Sequence, residues 1–432
     1  MKKLFALFVT TFVVSTAVFA DIGMGAWMGI LPTPVAYDGK DFMGGMTNSW
    51  WWSGGGARIA RLDIYGGSPD GKVGMQMGVY GFAAGEWGPS DWMFMWVQPF
   101  DQVKFVFGKF DTDWYSDDLG LPDMEWLRSG AYLDEDSFFS GNIYTTNRFA
   151  LEIYPVQGLT LFATVGLPGD FTQIKSIYKK VRAGIWYDIP RVGALRIQWR
   201  GMDRDTIKNI AENFGGTDDD NGEERYIGDI QAEFDFTMVD KLDIKLAFAY
   251  GIKQKGFIEA MNPYWELPYP YRTLKGMEEE QWRKMKIALG VSYQVIHGLK
   301  LQAVGQMWMF DKVADMYDVA PRFSAGIGAT YTIFDGLNAM ATVRYLSATK
   351  FDGNSLGDSA ISFMAGVTLR VGSNGSIGIA FEGLTNGGSV CDRGSLKGVG
   401  FYPTDDFDNR GGMEGHDGKF AWAIPLMFTV GI

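Results

Sequence analysis

The chain has 432 residues, with 57 glycines, 15% aromatic and only 21% charged side chains. This composition disfavours a disordered chain and a helical bundle alike. A formal charge of −12 argues against a nucleic-acid partner, and a single cysteine, Cys391, rules out an internal disulfide.

Residues 1–20 read as a signal peptide. Lys2 and Lys3 form the charged start, Leu4 to Val14 are mostly apolar, and Val18-Phe19-Ala20 offers small residues for cleavage. The mature chain is expected to begin at Asp21 as a secreted protein. Beyond residue 20 no apolar run reaches the roughly 18 residues of a helical membrane span.

Alternating segments then recur to the end. Ile22, Met24, Ala26, Met28 and Ile30 open the series, and a long polar connection over 31–56 carries Trp50, Trp51 and Trp52. Residues 57–65 form a less regular strand. The turn 66–71 leads into Val73, Met75, Met77 and Val79. Residues 91–98 are apolar in both phases, an exception, and Val103, Phe105 and Phe107 follow cleanly. From residue 147 the alternation is strict: 149–153 and 159–165, 181–187 and 195–199, 230–236 and 242–250, 285–293 and 299–303, 361–371 and 377–381.

The clearest hairpin spans 322–345. Phe323, Ala325, Ile327, Ala329, Tyr331 and Ile333 occupy one phase, and Arg322, Ser324, Gly326, Gly328, Thr330 and Thr332 the other. Successive side chains of a strand point to opposite faces, so one face is apolar and one polar. Each arm has about the 9–11 residues that a tilted strand needs to cross a bilayer. The last strand alternates from Phe420 to Ile432, with Pro425 in the other phase. A proline removes a ladder donor, so a local bulge is expected there.

The turns at Pro99-Phe100-Asp101, Pro155-Val156-Gln157, Val295-Ile296-His297 and Ile333-Phe334-Asp335 repeat one another. Short turns alternate with long connections at 31–56, 111–146, 203–224, 252–282 and 384–418. This asymmetry predicts an all-β, antiparallel transmembrane barrel of about 18 strands, with 16 as the fallback, short periplasmic turns and long external loops. Residues 21–432 form that one barrel in the outer membrane of a diderm bacterium. The mean hydropathy of −0.06 fits, because each apolar outward residue is offset by a polar inward one. A soluble sandwich would hide the apolar face in a shared core, but it would leave the repeated hairpins and the signal peptide coincidental.

Charge assigns the faces. The polar phase holds Arg148, Arg182, Arg196, Arg200, Glu152, Glu233, Asp235, Lys284, Lys286, Lys300, Arg322, Arg344, Arg370 and Glu382. A lipid-facing Arg or Lys at the midplane costs roughly 2–4 kcal/mol, so this phase must face a wet interior. Tyr187, Tyr293 and Tyr331 stand in the apolar phase just before short turns, where an aromatic girdle belongs. Gly326 and Gly328, small and inward, would keep the bore open.

These features together resemble the porin-like outer-membrane barrels over the whole mature chain. Trp96-Val97-Gln98-Pro99-Phe100-Asp101 with Phe107-Gly108-Lys109-Phe110-Asp111 also looks like the spirochaete type. The resemblance implies a passive channel for small polar solutes or ions, set in outer-membrane lipid. It also implies assembly through the C-terminal strand, which here ends in Ile432 rather than the usual aromatic residue, and it leaves room for a homotrimer. Porins of this kind narrow the lumen with the loop after the fifth strand. That loop is 111–146 and carries Asp111, Asp113, Asp117, Asp118, Asp123, Glu125, Asp134, Glu135 and Asp136. Opposed to the basic wall of Arg148, Arg182, Arg196 and Arg200, it would set a transverse field across a constriction. The two signs oppose, so no charge selectivity is assigned. The alternative is a surface binding or adhesion barrel with a plugged lumen.

No enzyme, cofactor or metal is expected. His416 near Glu414 and Asp417 reads as a loop histidine, and His297 as a turn residue. Asp218-Asp219-Asp220-Asn221-Gly222-Glu223-Glu224 lacks EF-hand spacing and reads as a solvated charge run.

Overall fold

The computed structural model describes residues 21–37, 42–47, 58–82, 87–109, 148–166, 181–202, 227–253, 283–310, 320–347, 349–351, 354–357, 359–385 and 420–432. Among these residues there is no helix. In chain order the strands are β1 (Asp21–Tyr37), β2 (Phe42–Thr47), β3 (Arg58–Gly67), β4 (Val73–Phe82), β5 (Trp87–Phe100), β6 (Val103–Lys109), β7 (Arg148–Val156) and β8 (Leu159–Gly166). Next come β9 (Arg182–Ile189), β10 (Gly193–Met202), β11 (Ile227–Phe236), β12 (Leu242–Lys253), β13 (Arg283–Ile296), β14 (Leu299–Phe310), β15 (Arg322–Phe334) and β16 (Leu337–Leu346). The last are β17 (Thr349–Phe351), β18 (Asn354–Gly357), β19 (Ala360–Val371), β20 (Gly375–Thr385), β21 (Phe420–Ile424) and β22 (Leu426–Gly431).

All but the small β17–β18 hairpin join one 20-stranded antiparallel sheet. β2 and β3 lie end to end along one edge of β1, and β21 and β22 are two halves of one crossing. The sheet therefore crosses 18 times and closes on itself, as the alternation predicts. Closure matters because lipid cannot satisfy an open strand edge. The seam is made where Trp27 to Ile30 pair with Gly431 to Phe428. Ala26 N donates to Ile432 O at 3.0 Å, and Ile432 N to Ala26 O at 2.8 Å. The described chain thus starts and ends at the short-turn rim.

Two expectations change here. The first long connection begins later than residue 31, because β1 runs on to Tyr37 and pairs with β2. Its continuation carries Pro32 and Pro34 and breaks the alternation, so period alone could not extend it. The bulge expected at Pro425 forms toward β1 only, with its extra residue in the facing strand. Toward β20 the register is unbroken across Pro425, from Glu382↔Ala423 to Ile379↔Leu426. Ala380 N even donates to the Pro425 carbonyl at 3.1 Å. Toward β1 the register moves by one residue, from Ile30↔Phe428 to Val35↔Ile424, so the extra residue sits opposite, in β1. The proline lacks only its N–H, and the facing strand absorbs the mismatch.

The short rim is tied together by the backbone. Each of its eight turns gives a carbonyl to the N–H of the next hairpin or the closing strand. Examples are Asp188 N to Gly158 O at 2.8 Å, Gln294 N to Lys241 O at 2.9 Å and Arg370 N to Gly336 O at 2.7 Å. Turning that carbonyl outward needs a left-handed residue in several turns. Gly158, Gly298 and Gly336 have φ of 81, 83 and 87°, and Lys241 adopts 65°.

The faces sort as charge implied. Outward Ile327 is 65% exposed, Leu246 52%, Leu289 45% and Leu301 45%. Left in water, such a belt would be an aggregation surface; in a bilayer it is solvated. Tyr293 and Tyr331 are outward and exposed near the short rim, and Tyr187 is half-buried there. A second aromatic group lies toward the other rim. Phe363 stacks on Phe381 and Phe420 at 5.7 Å each, and Trp422 bridges Phe381 to Tyr37 and Phe42. β5 is apolar in both phases for a local reason. Inward Phe94 and Trp96 cover Val106 and Ala150, and the Trp96 indole donates to Gly71 O at 3.0 Å.

Candidate functional site

The inner wall is the candidate site, and strand alternation builds it. Every second residue points inward, and the antiparallel register brings inward residues of adjacent strands side by side. β10 and β11 set Arg196 beside Glu233 and Gln198 beside Gln231. β9 and β10 set Trp186 beside Arg196 and Arg182 beside Arg200.

The densest polar cluster grows from that register. The Arg196 guanidinium donates to Glu233 in a short charged hydrogen bond and lies 3.5 Å from Asp235. It also stacks 4.7 Å from the Trp186 ring centroid, and the Trp186 indole donates to Asp188 at 2.8 Å. The Gln198 amide donates to the Gln231 carbonyl within the same wall. Glu233 is only 1% exposed, so its charge depends on Arg196 and the other groups that touch it. A planar cation held between a carboxylate pair and an indole is fixed in direction. The wall here can present an oriented charge rather than a mobile one.

Two further clusters have the same character. Lys104 lies 3.5 Å from Glu152 and 6.0 Å from the Trp96 ring, and the Tyr154 hydroxyl donates to Glu152 in a short bond. Lys286 stands 5.2 Å over the ring of Trp308. Each cluster pairs an inward cation with an inward aromatic.

Exposure grades along the bore. Lys300 and Arg370, beside short turns, are exposed, and so is Lys284 toward the opposite rim. Between them several inward side chains are buried: Arg182 is 1% exposed, Lys286 3%, Trp308 2%, Arg344 4% and Glu382 0%. Gly326 was expected to hold the bore open. It is buried instead, in register between Val304 and Arg344, which are themselves buried. A glycine between two large inward neighbours makes room for them and not for solvent.

Of the wall residues read from sequence, Arg182, Arg196, Lys284, Lys286, Lys300, Arg344 and Arg370 lie in described wall, and Arg196 joins an ion pair with Glu233. Arg148, Arg200 and Arg322 sit on β7, β10 and β15 in the inward phase, with side chains outside the described residues. The acidic residues from Asp111 to Asp136 lie outside them too, as do the signal peptide 1–20, Trp50 to Trp52, 218–224 and His416. Sequence reading missed the cation Lys104 and the aromatic partners Trp186 and Trp308. Each stands in the polar phase, where phase alone flags it, but the two tryptophans there invite assignment to the lipid face.

No protein-family model matches the chain, and no curated protein matches it in sequence. Among solved structures it is similar to Pseudomonas aeruginosa OccK11, at 9% identity over 96% of each chain and a TM-score of 0.49. It is also similar to the anion-selective porin from Comamonas acidovorans, at 12% identity over 96% of this chain and 100% of that one, TM-score 0.45. OmpT, an outer membrane protein of Vibrio cholerae in trimer form, matches at 11% identity over 96% and 100%, TM-score 0.45. Likeness at this level carries no argument about function, which must come from the wall itself. By its closed 18-strand antiparallel sheet, apolar without and polar within, the chain is a large β-barrel, and the solved structures named here include outer-membrane porins.

Proposed function

We propose that the protein is a passive outer-membrane channel for small polar solutes or ions. One observation carries this: a closed barrel whose outer surface is apolar encloses a wall of charged and amide side chains. A barrel that only anchored loops would gain nothing from oriented inward cations such as Arg196. The constriction is the acidic loop 111–146, folded inward against Arg148, Arg182, Arg196 and Arg200. Burial supports it. With strands spaced about 4.8 Å and tilted about 40°, 18 crossings make a cylinder roughly 36 Å across. Opposite walls of such a cylinder cannot cover one another, so the 1% exposure of Arg182 and Glu233 comes from their wall neighbours together with whatever enters the lumen. The solute crosses by diffusion, and the fields of the loop and the wall orient polar molecules at the narrowing.

The same burial favours a second function, a surface binding barrel whose lumen is plugged. Conductance separates the two. In planar bilayers a variant lacking residues 113–136 should pass larger steps than the full chain, with altered ion selectivity. Unchanged steps and selectivity would remove the loop from the constriction. Silence from both proteins would support the plugged barrel.

A further inference from the structure

Beside the short turns, β15, β16, β19, β20 and β22 enclose a recess of about 510 Å³ on the inner wall. Its lining is mainly hydroxyl and amide, from Thr332, Asn338, Thr368, Ser376 and Thr429, with one cation, Arg370, and one carboxylate. Two of the polar contacts are internal. The Thr332 hydroxyl donates to Asn338 Oδ1 at 2.8 Å, and Ser376 and Thr429 share a hydrogen bond at 2.7 Å. Asn338 accepts through its oxygen, which leaves its amide N–H groups as donors on the lining. Arg370 is exposed, and no ion pair engages it among the described residues. Its backbone N–H is bound to Gly336 O at 2.7 Å, which fixes the base of the side chain at the recess wall. Asp335 stands on the same lining, in the turn.

We propose that this recess binds a small polyhydroxylated monocarboxylate, a sugar acid. Guanidinium recognises a carboxylate through two parallel hydrogen bonds, and Arg370 is the only cation on the lining. The hydroxyl and amide groups match a hydroxylated body better than an apolar one, which would leave them unpaired. Asp335 sets the charge limit: it repels a second carboxylate, so the site takes one negative charge and not two. The volume suits a single sugar unit, within the usual range of about 300–1,000 Å³ for small-molecule sites. The site does not require that the lumen conduct, so its failure and that of the channel are distinguishable.

Calorimetry on the full barrel refolded in detergent tests it, with D-gluconate as probe, D-glucose as the uncharged control and D-glucarate as the dicarboxylate. Gluconate is expected to bind at least about tenfold tighter than glucose or glucarate. Arg370→Gln should remove that advantage over glucose, and Asp335→Asn should close the gap between gluconate and glucarate. Circular dichroism checks that both variants keep the native strand content, as expected for exposed rim residues. Equal gluconate affinity in the folded Arg370→Gln protein overturns the proposal, as does gluconate binding no tighter than glucose in the full chain.

Discussion

Ile327 offers a direct measure of what surrounds the barrel. It lies in the middle of β15, points outward and is 65% exposed. If its surroundings are lipid, its exposed two-thirds is already in an apolar phase. Fully burying such a side chain is worth roughly 1.5–3 kcal/mol, so this part contributes about 1–2 kcal/mol. Arginine in its place loses that and adds the midplane cost of roughly 2–4 kcal/mol. Ile327→Arg should therefore destabilise the barrel in phospholipid vesicles by about 3–6 kcal/mol. The same change at Ile333, outward but one residue from the short turn, should cost only about 1 kcal/mol or less, because the charge reaches the interface. Urea titration in vesicles, followed by tryptophan fluorescence, reads both. A soluble sheet facing water would tolerate arginine at both positions. Equal stabilities for wild type, Ile327→Arg and Ile333→Arg would refute the lipid face.

Other outcomes follow from the rim and the wall. Gly158 has φ of 81°, and a Cβ there would stand 2.7 Å from the Asp188 carbonyl oxygen, so Gly158→Ala should cost about 2 kcal/mol or more by the same titration. Arg196→Met should destabilise by about 3–5 kcal/mol, because it strips the nearly buried Glu233 of its cation. Adding Glu233→Gln should restore most of that loss, and strict additivity of the two would show that they do not act as a pair. In the exposed turn after β3, the Ser68 hydroxyl and the Lys72 N–H hold the Asp70 carboxyl below its ordinary value. A lowered folded value stabilises the turn above the ordinary carboxylate range, and the gain is lost as pH falls through the lowered value. Amide exchange at Lys72 should accelerate over that acid range, and Ser68→Ala should move the onset to higher pH.

The sequence carried the barrel because lipid and water write opposite demands on alternate residues. The 322–345 hairpin forms β15 and β16, the fourteenth and fifteenth crossings, as its period requires. The turns were legible for a similar reason, since Gly158, Gly298 and Gly336 mark left-handed positions that few other residues fill. Pairing across long connections was not legible. Arg196 and Glu233 meet only through the register of β10 with β11, and the connection over 203–226 does not encode that register. β1 escaped past residue 30 because its prolines interrupt the alternation while its backbone goes on pairing. How closely the inward side chains are covered could not be read at all. Alternation says that Arg344 and Lys286 point inward, but only their 4% and 3% exposure says that solvent does not reach them.

The central claim is that the lumen conducts, and single-channel recording of the full-length refolded protein in a planar bilayer tests it most directly. Discrete, uniform current steps that persist at low voltage and scale with salt concentration are the expected result. A protein that inserts with full strand content and yet gives no steps would contradict it.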